Sequence, residues 1–162
     1  MNEFNIRSYN FSDNQEIKEL YKIASKDSEI GYRDGPWYKD FDDIENFYMQ
    51  GGDFLVGTIN NKIVAMVGLE KSSETVGHIR RMRVHPDYRR RGFGQAILNE
   101  LENRAIKLGF HELRLRTSTQ QKMAQGLYEK SGYRKMETEK EYYKEGGGNS
   151  FEVIWYQKIF NK

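Results

Sequence analysis

Three arginines meet two glycines at Arg89-Arg90-Arg91-Gly92-Phe93-Gly94-Gln95, just after an apolar stretch that closes at Val84-His85-Pro86. Proline lacks an amide donor and biases the residue before it away from helix, so a strand should stop there. From Phe93 onward Ala96, Ile97, Leu101, Ala105 and Leu108 recur at intervals of three and four, the period of a helix. A tight basic loop between strand and helix exposes the unpaired amides of the first turn at the positive end of the helix dipole. Gly92 and Gly94 carry no side chain to keep a ligand off those amides. The chemistry that suits this pattern is phosphate binding. A P-loop is excluded because no Gly-Lys-Ser/Thr follows, and a dinucleotide fingerprint because its third glycine would fall on Ile97. Arg91-Gly92-Phe93-Gly94 opens like an RNA-reading strand, yet Gln95, Ala96 and Leu98 stand where that motif needs Phe, Val and an aromatic.

The spacing Arg89-x-x-Gly92-x-Gly94, set between Val84-x-Pro86 and a helix, resembles the acyl-CoA loop of the GNAT superfamily, the general-control-related N-acetyltransferases. A second stretch, Ala124-x-x-Leu127-Tyr128-Glu129-Lys130-x-Gly132-Tyr133, is similar to that family's later motif, and the two stand in the family's order. The likeness is good from about residue 52 to residue 133 and vague outside it. It implies an N-acetyltransferase that moves an acetyl group from acetyl-CoA, its co-substrate, to a primary amine on a small molecule or peptide. Backbone amides from Arg90 to Gln95 would hold the pyrophosphate, while the side chains of Arg89, Arg90 and Arg91 could reach the 3′-phosphate. The resemblance further implies a splayed strand whose backbone at Met82, Arg83 and Val84 meets the pantetheine.

Moving an acyl group from a thioester to an amine requires an amine that has lost a proton, a stabilised carbonyl oxygen and a protonated leaving thiolate. The chain has no cysteine to form a covalent intermediate, so direct attack is expected. The resemblance places Tyr128 beside the thioester sulfur as general acid; without the motif, an aromatic four residues after Ala124 would simply face the core. Gln121, seven residues before Tyr128, stands where many members carry an asparagine that touches the acyl-CoA. Where some members place a glutamate base, this chain has His78, whose ordinary pKa near 6.5 would leave it neutral and able to accept a proton. Glu74 or an ordered water are the alternatives. Tyr32, Asp34, Trp37 and Tyr38 fall where the family builds its acceptor wall. Rings with an acid would suit an amine-bearing or cationic substrate, and would serve equally to cover a core.

Periodicity supplies the elements that must position these residues. Alternation and apolar runs predict strands over 4–9, 53–59, 62–71, 76–84, 111–117, 133–143 and 151–160. Helices are expected behind a Ser12-x-x-Gln15 capping box, from about Asp40, over 93–108 and over 121–130. Asp40, Asp42 and Asp43 suit the start of a helix better than a metal site. Asn60-Asn61 reads as a two-residue turn, and residues 63–67 as a strand buried on both faces. Strict alternation would put Val76, His78, Arg80, Met82 and Val84 on one face and Ile79 on the other. Arginines on both faces are odd for a sheet centre and point to a bulge, with Arg80 and Arg81 pairing to acids across the sheet. The fold class is mixed α/β (α+β): one GNAT-like domain over 1–162, with a central, mostly antiparallel sheet of about seven strands and about four helices.

A chain of 162 residues is the size of one domain with a substantial core. The absence of cysteine excludes a disulfide framework and thiolate metal sites and fits a reducing compartment. No signal peptide opens the chain and no apolar run approaches membrane-spanning length, so a cytoplasmic protein without metal or membrane is expected. The net charge is only +2, but Arg80, Arg81, Arg83, Arg89, Arg90 and Arg91 crowd one stretch against Asp87 alone. Beside exposed amides such a run focuses an anionic ligand. Two rival classes are a nucleic-acid-binding module built on those arginines and a CoA-binding regulatory domain without turnover. The expected partners are acetyl-CoA and an amine acceptor rather than nucleic acid, and exposed Trp155 and Tyr156 would be compatible with a homodimer.

Overall fold

The computed structural model describes residues 3–26, 36–137, 140–144 and 150–160. β1 (Asn5–Ser8) leads through a 3-10 turn (Phe11–Asp13) into α1 (Asn14–Ser25). Ser12 lies inside that turn and does not cap the helix. Asp13 precedes α1 without a side-chain cap bond to it; its carboxylate instead accepts from the Asn10 amide at 2.8 Å, at the start of the 3-10 turn, and from Arg7 at 2.7 and 3.0 Å. A carboxylate with a guanidinium partner is a stronger acceptor than a neutral hydroxyl. Ile17, Leu20, Tyr21 and Ala24 are the buried stripe of α1, as their spacing requires.

A second 3-10 segment (Pro36–Asp42), kinked at Tyr38, precedes the single turn of α2 (Ile44–Phe47). Asp43 caps that turn, accepting from the Asn46 amide at 3.3 Å. β2 (Asp53–Ile59) and β3 (Lys62–Lys71) form the expected hairpin, with Asn60 and Asn61 at φ of 50° and 64°. There follow β4 (Val76–Val84), α3 (Phe93–Lys107), β5 (Glu112–Ser118), α4 (Lys122–Lys130), β6 (Arg134–Lys135), β7 (Glu141–Lys144) and β8 (Ser150–Ile159). The strand expected over 133–143 is two short ones, which raises the sheet to eight strands.

The sheet runs β1-β2-β3-β4-β5-β8-β6, with β7 also on β8; the β4–β5 pair is parallel and the other pairs are antiparallel. β3 is buried on both faces from Ile63 to Leu69. One core lies between the sheet and α3 and α4, built on Leu55, Val67, Leu69, Ile97, Leu101 and Leu113. The other lies under α1 and α2 and includes Ile17, Leu20, Ile44, Phe54 and Met66. Burial on both sides makes the sheet a rigid partition, and whatever passes between its strands must do so at a gap. Among the described residues no helix is long and apolar enough to cross a membrane.

Candidate functional site

The gap lies between β4 and β5. They pair only from Val76 opposite Glu112 to His78 opposite Arg114. Beyond that β5 continues along β8, while β4 continues along β3 to Val84. From Ile79 to Val84 the β5-facing edge of β4 therefore has no partner strand among the described residues. A bulge accompanies the parting. Gly68 faces Arg80 and Met66 faces Arg83, so two residues of β4 oppose one of β3, and Arg81 sits at φ +57°. The extra residue resets the alternation. Met82 and Val84 pack with Ile79 against the α3 core, not with His78 and Arg80 as strict alternation required. Arg80, Arg81 and Arg83 turn to the α1 face, where Arg81 and Arg83 meet Tyr21 and Arg80 lies over Phe47.

At the far end of β4 the chain enters the arginine–glycine loop. His85 donates its amide to Val64 O at 2.8 Å, and a 3-10 turn (Pro86–Tyr88) follows. Arg90 and Gly92 take left-handed φ of 62° and 82°, and Gly92 is the N-cap of α3. The first amide of this turn with an intrachain acceptor is Ala96, which reaches Gly92 O at 3.0 Å. The amides of residues 90–95 have no acceptor among the described residues. They sit together at the positive end of a fifteen-residue helix, an arrangement that attracts a phosphate group.

The loop's arginines divide. Arg89 turns inward, donating to Val84 O at 3.2 Å and Ala24 O at 2.9 Å, and so ties the loop to the C-terminal end of α1. Arg91 lies over the Tyr88 ring, and Arg90 is exposed. With Arg81 and Arg89 both turned inward, Arg90 and Arg91 are the exposed arginines of the cluster. Phe93 stacks on Phe4 at 4.2 Å, and Gln95 reaches Ser131 at 3.1 Å, fixing α3 against β1 and the end of α4.

Tyr128 comes from α4 to the same gap. Its hydroxyl lies 3.8 Å from Met82 Sδ, next to the open edge of β4. Burial pushes the phenol above its ordinary pKa, and the Arg83 cation opposes that rise. Gln121 precedes α4 but folds back on β5: its Oε1 accepts from Thr117 Oγ1 at 2.7 Å and from the Ser118 amide at 3.4 Å.

His78 is the last residue of β4 paired with β5, at the apex of the gap and on the α1 face. Its ring packs on Trp155 at 5.4 Å, and its Nδ1 lies 3.7 Å from Glu70. Burial, then the Arg80 and Arg116 cations, lower its pKa to about 4. The titration near neutrality expected of it does not hold. Glu74 lies in the exposed β3–β4 turn and pairs with Lys71 at 2.9 Å, away from the gap. Glu70, missed in the sequence, is the carboxylate that lies beside His78. A hairpin centred on residue 74 pairs positions 70 and 78, so the register signal was present.

Of the expected acceptor wall, Tyr32 and Asp34 lie outside the described residues, and for Trp37 only the backbone is described. Tyr38 is a core residue, 8% exposed and packed on Tyr21 and Phe41. Asp40 is no helix cap. It is buried and holds Arg81 through Nε at 3.0 Å and Nη2 at 2.8 Å, while Tyr48 donates to it at 2.6 Å. Of the pair expected to be exposed in the terminal hairpin, one residue is not. Tyr156 is fully buried and donates to Glu129 at 2.6 Å, while Trp155 is half-buried. Among the described residues no group of His, Asp and Glu could hold a metal ion.

Comparison with known proteins adds the following. A family model described as the acetyltransferase (GNAT) family matches residues 17–133. A probable N-acetyltransferase camello of Xenopus tropicalis is 32% identical over 105 residues, 62% of this chain and 48% of that protein, so the chain spans about half its length. An acetyltransferase of Yersinia pestis is 33% identical over 109 residues, covering 64% of this chain and 73% of that one. Among solved structures, yncA of Salmonella typhimurium, described as a putative acetyltransferase with its cofactor acetyl-CoA, has a TM-score of 0.77 at 17% identity. The match covers 98% of this chain and 95% of that one.

Proposed function

Since the chain belongs to the acetyltransferase (GNAT) family, we propose that it moves an acetyl group from acetyl-CoA to a primary amine by direct attack, with Tyr128 as general acid. The observation that carries this reading is that three features adjoin at β4 and the loop that follows it. The unpaired amides of 90–95 lie at the head of α3, the open edge of β4 follows, and the Tyr128 hydroxyl stands beside Met82. A diphosphate on the amides would let a pantetheine arm lie along the strand edge, where backbone groups at Met82 and Val84 replace the missing ladder. The thioester then ends next to Tyr128.

The free amine attacks the carbonyl carbon, the C–N bond forms, and the C–S bond breaks as the tetrahedral intermediate collapses. The nitrogen loses one proton and the sulfur gains one, so the reaction is neutral in protons. Tyr128 gives its phenolic proton to the departing sulfur and regains one from solvent. A phenol at about 10 is already less acidic than a thiol at about 8.5 by roughly 2 kcal/mol, and burial increases that deficit. Tyr128 therefore acts mainly by hydrogen-bonding sulfur as negative charge develops on it.

Water takes the amine's proton. A histidine near 4 falls short of an α-ammonium near 8 by roughly 5 kcal/mol, and of a lysine-type ammonium by nearly 9. His78 instead offers a permanent hydrogen-bond acceptor at the apex of the gap.

The test is an amine panel with acetyl-CoA, monitored for free thiol and for acetylated amine in equal amounts. A protein stabilised by CoA in a thermal-shift assay that releases thiol with no amine would be a regulatory domain and would overturn the proposal.

A further inference from the structure

Charge on the acceptor side of the gap is unevenly matched. Arg81 and Arg83 both donate to the Tyr21 hydroxyl, at 3.0 and 3.2 Å, yet of the two only Arg81 reaches Asp40. Both Asp40 oxygens are engaged by Arg81, and Tyr48 donates to one of them as well. Arg83 has only neutral partners: Met82 O at 2.7 Å, Ser25 Oγ at 3.3 Å and Tyr21 Oη. No carboxylate pairs with it among the described residues. Its neighbours on this face are better matched, Arg114 with Glu112 at 2.5 Å and Arg80 with Glu70 at 3.5 Å. Arg83 is also half-buried and held in place by stacking on Tyr21 at 4.8 Å. Half-burial of a cation without a counter-charge is unfavourable by itself. Holding it rigidly with free donors at the rim of a binding gap prepares it for an anion.

Position makes the anion part of the acceptor. The Arg83 backbone pairs with Met66 on β3, which leaves its side chain on the α1 face, opposite the α3 core that Met82 packs against. Its guanidinium donates to the carbonyl of Met82, the residue whose Sδ lies 3.8 Å from the Tyr128 hydroxyl, so a group bound to it lies within a small molecule's reach of the thioester. We propose that Arg83 docks a carboxylate on the acceptor, and that the enzyme acetylates amines that also carry a carboxylate. This rests on the acetyl-transfer reading above and reverses the expectation of a cationic substrate.

The test pairs amino acids with their isosteric amides (α-amino acids, β-alanine and γ-aminobutyrate) against the wild type, Arg83→Gln and Arg83→Lys. A hydrogen-bonded charge contact predicts that at least one acid exceeds its amide in kcat/KM by roughly tenfold to a hundredfold. The ratio should fall to near one in R83Q and partly return in R83K, and the thermal shift with CoA reports that each variant is folded. Equal use of acid and amide by the wild type, or an unchanged ratio in R83Q, would overturn the assignment. If no amine releases thiol, the acetyl-transfer reading fails, and calorimetry of the same pairs on the CoA-loaded protein decides the role of Arg83 separately. Binding of an acid that is lost in R83Q upholds it, and no preference for acid over amide refutes it.

Discussion

Asp40→Asn tests whether one buried ion pair holds the bulge that opens the sheet. The side chains of Asp40 and Arg81 are 3% and 11% exposed, and the guanidinium lies between Tyr21, Tyr38 and Phe41 at 5.0 to 5.2 Å. Removing one partner of a buried ion pair costs about 3–5 kcal/mol. Asparagine keeps the shape and one acceptor oxygen, so the expected loss is near the lower end, about 3 kcal/mol. For a chain of this size that lowers Tm by roughly 6–12 °C. Urea titration should show a lower midpoint with an unchanged slope. A double variant, Asp40→Leu with Arg81→Met, should recover part of the loss, because replacing a buried ion pair by apolar residues of similar volume is often near neutral.

The pH dependence has a definite sign. Burial alone would raise the Asp40 pKa, but the Arg81 hydrogen bonds and charge, with help from Tyr48, bring it below the ordinary value. Its contribution is therefore complete above about pH 4 and lost as pH falls through the lowered folded value. The gap between wild type and variant should be constant near neutrality and close only in acid. A loss under about 1 kcal/mol, the range of exposed pairs, would refute the claim that this pair holds the bulge.

Tyr128→Phe should lower kcat by about a hundredfold while leaving Tm and the half-saturating acetyl-CoA concentration nearly unchanged, since the hydroxyl's neighbour is a sulfur at 3.8 Å; unchanged turnover would remove Tyr128 from the mechanism. Gly92→Ala meets open space but forces a side chain into φ +82°, so melting should show a loss of about 1 kcal/mol. Gly94→Ala meets Met82, Leu127 and Val84 at ordinary distances of 3.6 to 3.7 Å, so it should fold normally. Its methyl group enters the space proposed for the pantetheine and should raise the KM for acetyl-CoA by roughly tenfold or more, whereas an unchanged KM would place the arm elsewhere. With His78 held near 4, kcat/KM should rise with pH from 6 to 9 along a limb that follows the acceptor amine's pKa. A limb fixed near 6.5 for every acceptor would return His78 to the role of base.

The donor half of the site was legible because it is local. A proline, two glycines and a helical period within a dozen residues specify the loop and its amides, and chain order then brings Tyr128 to the open strand edge. The acceptor half depends on contacts between distant segments, which periodicity does not encode. Asp40 looked like a helix cap beside Asp42 and Asp43, but its partner is forty-one residues away on β4. Tyr38 could have lined an acceptor wall or covered the core, and Tyr156 looked exposed in the terminal hairpin, yet tertiary packing buries both. The His78 pKa failed for the same reason: burial and the Arg80 and Arg116 charges come from the assembled sheet.

The bulge explains why one short strand can serve both substrates. In regular alternation residues 82 and 83 would still point to opposite faces, but Met82 and Val84 would lie with His78 and Arg80, on the wrong side for Tyr128. The extra residue at Arg81 moves Met82 and Val84 to the donor side and leaves Arg83 on the acceptor side. A left-handed arginine is disfavoured by roughly 1–2 kcal/mol. It persists because its guanidinium satisfies both oxygens of a buried carboxylate from the segment that covers the acceptor face. The strain on β4 and the closure of residues 36–48 over α1 are thus coupled, so loosening the acceptor cover should also weaken the donor groove.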